Sequence, residues 1–251
     1  MSLTVCFSVT NLHPSKKTSE LTDGLFPPTA TTSYLAIIYD KELVCHIAAP
    51  AASVMSNAQF PNIHPMAMLP THQVFSAAYS LGLPSHVSRH DIPVVLKGLH
   101  QCLLPGAILY LALINVRPVA TSVGPRMQEW LDKHLLLNLE KKRRSDSPSM
   151  FMPEWLEESS LRGKGSVISK AKFLAITPSD IAGKKTMDGK PDNQCIRAEL
   201  RGEVGRMLWK EVWGVYVEAE RWWWEEPAIV EECLRLRTFW DYYLIEAVND
   251  G

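Results

Sequence analysis

Residues 107–116 read AILYLALINV, a run that is apolar at nearly every position. A strand with one wet face would alternate, so this one is expected to be covered on both sides, as inner strands of a parallel sheet are. An amphipathic segment precedes it. Asp91 is placed to cap a helix reaching about Leu103, with Pro93 in the first turn, where a missing N–H costs nothing. Ile92, Val95, Leu96, Leu99, Cys102 and Leu103 follow the i, i+3, i+4, i+7 rhythm of one buried face. Leu104-Pro105-Gly106 is expected to end the helix as a turn. Helix, turn and doubly buried strand in direct succession predict an α/β layer.

The whole chain is consistent with a folded protein. It has 251 residues, 46% of them hydrophobic and 21% charged, which is globular composition and suits one large domain or at most two small ones. Its 26 Lys+Arg balance 27 Asp+Glu to a net charge of -1, which argues against a generally basic nucleic-acid binder. The longest apolar run, 107–114, falls far short of the ~20 residues of a membrane span. The start, MSLTVCFSVTNLHPSKK, carries no basic n-region and no small-residue cleavage site, so no secretory signal is expected. Cys6, Cys45, Cys102, Cys195 and Cys233 form an odd set without a C-x-x-C pair, which predicts reduced thiols and a cytoplasmic or nuclear protein.

Along the chain, 1–32 reads as an irregular lead-in apart from the short apolar TVCF. SYLAIIYD and LVCHIAA are expected to pair as a hairpin about Asp40-Lys41, and 73–80 to form a short buried strand with the turn after it. Residues 124–144 predict a long helix with Met127, Trp130, Leu131 and Leu135 on one face and a solvated LysLysArgArg end. A short helix over 152–161 and a strand over 166–177 follow, then a turn-rich loop at 178–193 that composition marks as flexible. A helix over 197–213 is expected to point Leu200, Val204, Met207 and Leu208 inward. Pro227 opens another, bearing Ile229, Val230, Cys233 and Leu234, and 238–248 ends the fold as a strand. The domain plan is thus an irregular 1–32 followed by one α/β domain over 33–251, with helical material at 197–236 inserted before the last strand.

Familiar catalytic signatures are missing. AGKKTMDGK has no strand or glycine-rich turn of a P-loop, and there is no G-x-S-x-G. His86 and His90 lack a third ligand at motif spacing, so they are expected at the surface or at a helix cap, with no metal site. His100 and His134 are expected to be hydrogen-bonded structural residues. In Trp222-Trp223-Trp224 successive side chains should diverge and cannot form one stacking platform, so at least two are expected to pack inward or to staple the neighbouring helix start. The competing reading is an aromatic lid or a partner-binding knob.

DIPVVLKGLHQCLLPGAILYLALINVRP resembles the late half of class I S-adenosylmethionine-dependent methyltransferases, where a helix ends in L-x-P-G-G before the fifth strand; Ala107 stands at the second glycine. QVFSAAYSLGL is similar to that family's fourth strand and the loop after it, with Val74 and Phe75 where its Asp is expected. SVISKAKFLAIT and TFWDYYLIEAV resemble its sixth and seventh strands. FPPTATTSYLAIIYD, PEWLEE, GRMLWKEVWG and RWWWEEPAIVEECLRLRTFWD look like divergent methyltransferase-like proteins of filamentous fungi. The resemblance implies an incomplete or degenerate class I methyltransferase-like (Rossmann-like) sheet with a C-terminal helical insertion before the last strand. It implies S-adenosylmethionine as cofactor, with Ser76, Ala77 and Tyr79 (in the loop after the fourth strand) and Asn115 (after the fifth) facing it.

One departure from the family is physical. Its cofactor turn is glycine-rich because only glycine lets backbone amides approach a ligand so closely. Before Gln73 the only glycine is Gly24. The first βαβ unit is therefore expected to be lost, or a longer ancestor truncated; Asp40 is open between a ribose acid and a hairpin turn residue. Two functions follow: a transferase acting on a small molecule, or a catalytically inactive scaffold that binds a protein partner.

Overall fold

A computed structural model describes residues 3–7, 43–47, 73–177 and 193–251. It is a mixed α/β protein. The strands are β1 (Leu3–Phe7), β2 (Leu43–Ile47), β3 (Phe75–Leu81), β4 (Leu103–Ile114), β5 (Val167–Leu174) and β6 (Phe239–Val248). They form one sheet in the order β2-β1-β3-β4-β6-β5. The chain divides into two compact units: Met1–Leu113 with Met150–Ile168 and Leu244–Gly251, and Ile114–Ser149 with Ser169–Tyr243.

In the first unit β1 pairs in parallel with β2 on one side and β3 on the other, and β3 pairs in parallel with β4. The apolar TVCF, set apart in the sequence from the irregular lead-in around it, is an inner strand. A parallel strand pair stands where the first βαβ unit is expected to be lost; the segment joining the pair lies outside the described residues. LVCHI is a strand, but the pairing described for it is parallel to β1; the other arm of the expected hairpin lies outside the described residues, as do Asp40 and the 178–192 loop.

The helix α1 (Leu83–His86) is one turn, and α2 (Ile92–Cys102) follows. The buried face of α2 is the one its periodicity predicts, with Ile92, Val95, Leu96, Leu99 and Cys102 all at 0% exposure. Asp91 sits at the N-cap, but its carboxylate makes no cap bond and instead accepts from the Ser88 hydroxyl at 2.6 Å. The expected Leu-Pro-Gly turn lies inside β4. Register passes from Phe75↔Leu103 to Ala77↔Ile108, so residues 104–107 bulge out opposite Ser76. Gly106 takes φ +75° there, which a side chain would resist, and its N–H donates to the Asn249 carbonyl at 2.9 Å. Asn249 holds this end of the strand. Its amide nitrogen donates to the carbonyls of His100, Leu103 and Leu104, and its side-chain oxygen meets His100 Nδ1 at 2.6 Å. The helix α5 (Pro148–Glu158) contributes buried Met152, Trp155 and Leu156.

The second unit is built around tryptophan. The long helix predicted from 124 is present as α3 (Pro125–Leu131), a π-helical stretch (Asp132–Leu136) and α4 (Leu137–Lys141). Met127, Trp130, Leu131 and Leu135 are buried as expected. The start of α3 is capped from outside the helix, where the buried Glu232 carboxylate accepts from the amides of Arg126 and Met127 at 3.2 and 3.0 Å. Gly124 leaves it room, since a Cβ there would overlap that carboxylate.

The inward face of α6 (Asn193–Trp213) differs from the one expected. Leu200 and Val204 are 58% and 60% exposed, and Met207 and Leu208 only half-buried. The buried face is Gly202, Gly205, Arg206, Trp209, Val212 and Trp213. The two glycines decide it, because a Cβ at Gly205 would overlap the Phe173 ring and one at Gly202 would overlap Thr177. The helix therefore lies directly on those two residues and turns its aliphatic side outward. Trp209 and Trp240 both donate to the Val116 carbonyl, at 3.0 and 3.1 Å, and Trp213 to that of Ile114 at 3.2 Å. The last helix, α7 (Pro227–Leu236), buries Ile229, Glu232 and Cys233.

The Trp222–Trp224 run packs on the core as expected, Trp222 and Trp224 from a half-buried edge, but departs from expectation in its stacking. Only Trp223 is fully buried, stacked on Trp240 at 5.2 Å. Trp222 and Trp224 stack on each other, 4.9 Å apart and 3° from parallel, because both flank Trp223 on one short 3₁₀ turn. They do form a platform, and Lys210 Nζ sits 5.0 Å from the Trp222 ring centre.

Candidate functional site

The strand order places one topological switch. The chain runs outward from β1 to β2, then resumes on the opposite side of β1 with β3 and β4. In open α/β sheets ligands bind beside the carboxyl ends of the strands at such a switch point, here the ends of β1 and β3. Those ends are Phe7, which is opposite Ser80, and Leu81.

Against this geometry the expected cofactor residues fall in different places. Ser76, Ala77 and Tyr79 are not in a loop but within β3, which extends to Leu81. At about 3.3 Å per residue, Ser76 lies roughly 16 Å before Leu81, toward the amino end of the strand. Ala77 is opposite Thr4. Tyr79 is nearer the carboxyl end, and its ring stacks on Tyr110 of β4 at 4.7 Å. Asn115 does follow the last residue of β4, but both ends of its amide engage Ser149: Nδ2 donates to the hydroxyl at 2.9 Å, and Oδ1 accepts from the backbone N–H at 3.3 Å.

The residues that do occupy the exit of β3 are Ser80, Leu81 and Gly82. Gly82 is buried with φ +95°, a conformation glycine adopts freely, and Ser85 folds back on it through both its N–H and its hydroxyl, at 2.9 and 2.8 Å. The signal was present in the sequence as Leu81-Gly82-Leu83-Pro84, a breaker pair straight after the strand. After β1 the sequence continues as Ser8-Val9-Thr10-Asn11, with two β-branched residues and no glycine before Gly24. The Ser85 hydroxyl is committed to the turn itself. These residues do not fit the glycine-turn mode of holding S-adenosylmethionine.

Histidine and cysteine carry structural roles elsewhere. His100 bonds to Asn249 as described, and His134 Nδ1 donates to the Glu218 carbonyl at 2.7 Å. Cys102 and Cys233 are buried free thiols, each pushed from 9.0 up to about 11 by burial. Among the described residues there is no cluster of three or more His, Cys, Asp or Glu that could hold a metal ion, and no helix is long and apolar enough to cross a membrane.

No family model matches the sequence, and no curated protein does. Solved structures similar to the chain include two methyltransferases and a cyclopropane synthase. Phosphoethanolamine N-methyltransferase 2 of Haemonchus contortus, in complex with phosphomonomethylethanolamine and S-adenosylhomocysteine, is 9% identical with a TM-score of 0.47, over 98% of this chain and 48% of that one. The chain thus spans about half the length of that enzyme. A SAM-dependent methyltransferase from Archaeoglobus fulgidus is 9% identical, TM-score 0.44, over 98% and 86% of the two chains. A cyclopropane synthase from Mycobacterium tuberculosis is 10% identical, TM-score 0.43, over 98% and 78%.

Proposed function

We propose that this chain is a methyltransferase-like protein that keeps the doubly wound sheet but not the glycine turn, so that it holds S-adenosylmethionine weakly and transfers methyl groups to a small molecule inefficiently at most. The observation that carries the reading is the parallel β2-β1-β3-β4 order, with its switch point beside a β1 exit that lacks glycine. Methyl transfer is an in-line displacement that depends on proximity and orientation, so a loosely held donor loses rate directly. Of the residues that line the β3 side, Gly82 and Ser80 are assigned to the crevice ahead of Ser76 and Ala77.

Calorimetric titration with S-adenosylmethionine and S-adenosylhomocysteine tests this. The expected result is binding no tighter than roughly millimolar. Micromolar binding that Gly82→Val weakens and Ser76→Ala leaves unchanged would instead make the chain an ordinary cofactor-dependent enzyme. A second reading, a catalytically inactive scaffold for a protein partner, is favoured by the half-buried Trp222–Trp224 stack. Complete absence of heat with either ligand at millimolar concentration supports it over the first.

A further inference from the structure

The second unit contains a cleft of about 860 Å³, within the ~300–1,000 Å³ typical of small-molecule sites. It does not depend on the reading of the β1–β3 crevice. One wall is the helix carrying Arg126, Glu129, Trp130, Lys133 and His134, spaced i, i+3, i+4, i+7 and i+8 so that they share a face. The other is the chain from Glu218 to Arg221 with Glu226, Ala228 and Ile229 at the start of α7. Trp130 and Ile229, each 6% exposed, supply an apolar floor.

Two features show that the cleft is built. The walls are tied at two points: Glu218 N–H donates to the His134 carbonyl at 2.9 Å while His134 Nδ1 donates back to the Glu218 carbonyl, and Arg126 Nη1 donates to the Ala228 carbonyl at 3.1 Å. The second is the π-helical stretch Asp132–Leu136, which sets Lys133 and His134 at the cleft. Such stretches are rare, interrupt the regular helical bonding, and recur at functional sites.

The charges then specify a ligand. The helix wall carries Arg126 and Lys133 with one acid, Glu129; the facing chain carries Glu218, Glu220 and Glu226 with one base, Arg221. Among the described residues no ion pair joins any of these groups, although both signs line the same cleft. A ligand with only one charge would meet one wall favourably and the other unfavourably. One bearing both an ammonium and a carboxylate satisfies both. We propose that this cleft binds a zwitterionic small molecule of amino-acid type, its apolar side chain on Trp130 and Ile229, its carboxylate toward Arg126 and Lys133, and its ammonium toward the glutamates of the facing chain.

Titration calorimetry of the full chain tests this with L-leucine and L-phenylalanine as probes, beside leucinamide, which lacks the carboxylate, and N-acetyl-leucine, which lacks the ammonium. The expected result is saturable binding of at least one free amino acid, weakened about tenfold or more by blocking either end. Lys133→Glu and Glu220→Lys change exposed residues, so circular dichroism should match the parent while each lowers affinity about tenfold or more. Three outcomes would overturn the proposal: no saturable heat with either amino acid at about 10 mM, leucinamide or N-acetyl-leucine binding as tightly as leucine, or both substitutions leaving affinity unchanged.

Discussion

The two units solve the same problem, an apolar interior, with different materials. In the first, the buried faces of α2 and β4 are mostly aliphatic side chains that carry no hydrogen-bond donor of their own. In the second, four tryptophans are completely buried, and each brings a donor that must be placed. Three are placed on two carbonyls at and just past the end of β4, while among the described residues Trp223 Nε1 finds no acceptor. An aliphatic core needs only the right volume, whereas a tryptophan core also needs the right directions.

The strongest way to break this contrast is Trp209→Ala. It removes the ring that packs edge-on to Trp223, Trp224 and Trp240, and it should cost about 3–5 kcal/mol, read as a fall in urea midpoint. Leu99→Ala in the first unit is expected to cost roughly 3 kcal/mol, since it opens a cavity but strands no polar group. A larger loss there than at Trp209 would reverse the ranking. Glu232→Ala should cost about 2 kcal/mol, because the amides of Arg126 and Met127 lose a buried acceptor; the hydrogen-exchange protection of those two amides is the direct readout.

A finer cut compares Trp209→Phe with Trp223→Phe. Both rings are fully buried, but only Trp209 donates to a carbonyl, so its loss should exceed that of Trp223 by about 1 kcal/mol. The last comparison has no effect at neutral pH. Burial raises the folded-state pKa of Cys102 and Cys233 from 9.0 to about 11, so the unfolded chain releases these protons first. Stability should be independent of these thiols below pH 9 and decline as pH rises toward 11. Cys102→Ala should flatten part of that decline in urea midpoints measured at intervals across this range, and an unchanged slope would contradict thiol burial.

What the sequence makes legible does not follow the division into units. Apolar patterning locates the buried face of α2, the packing side of the long helix from Gly124 and the doubly buried end of β4 at Leu111–Ile114, because there apolar letters alone decide what is inside. Ile108 and Tyr110, before that end, are only half-buried. Patterning fails on α6. Gly202 and Gly205 bury a face by having no side chain, which a search for hydrophobic residues passes over, and so the pattern puts Leu200 and Val204 on the wrong side. The strand β1 is illegible because five residues carry too little pattern to reveal that two other strands pair with them. The resemblance places a loop at Ser76–Tyr79 where the strand in fact continues to Leu81, since nothing in QVFSAAYSL marks where extended backbone ends before Gly82. The charged residues of the second cleft are hidden for another reason: Arg126, Glu129 and Lys133 look like the wet side of an amphipathic helix, and only the chain near residue 220 makes that side a wall. The recurrence of charges at i, i+3 and i+7 opposite an acid-rich segment is the available clue.

The Val116 carbonyl accepts from Trp209 and from Trp240, so α6 and β6 are registered against the end of β4 by one oxygen that belongs to no side chain. Replacing Val116 changes a side chain and leaves that oxygen in place. The two hydrogen bonds are thus indifferent to which side chain stands at 116, but Val116 is itself fully buried in the core, so the position still requires an apolar side chain of similar size. A relative that kept the junction would be held to an indole donor at 209 and 240.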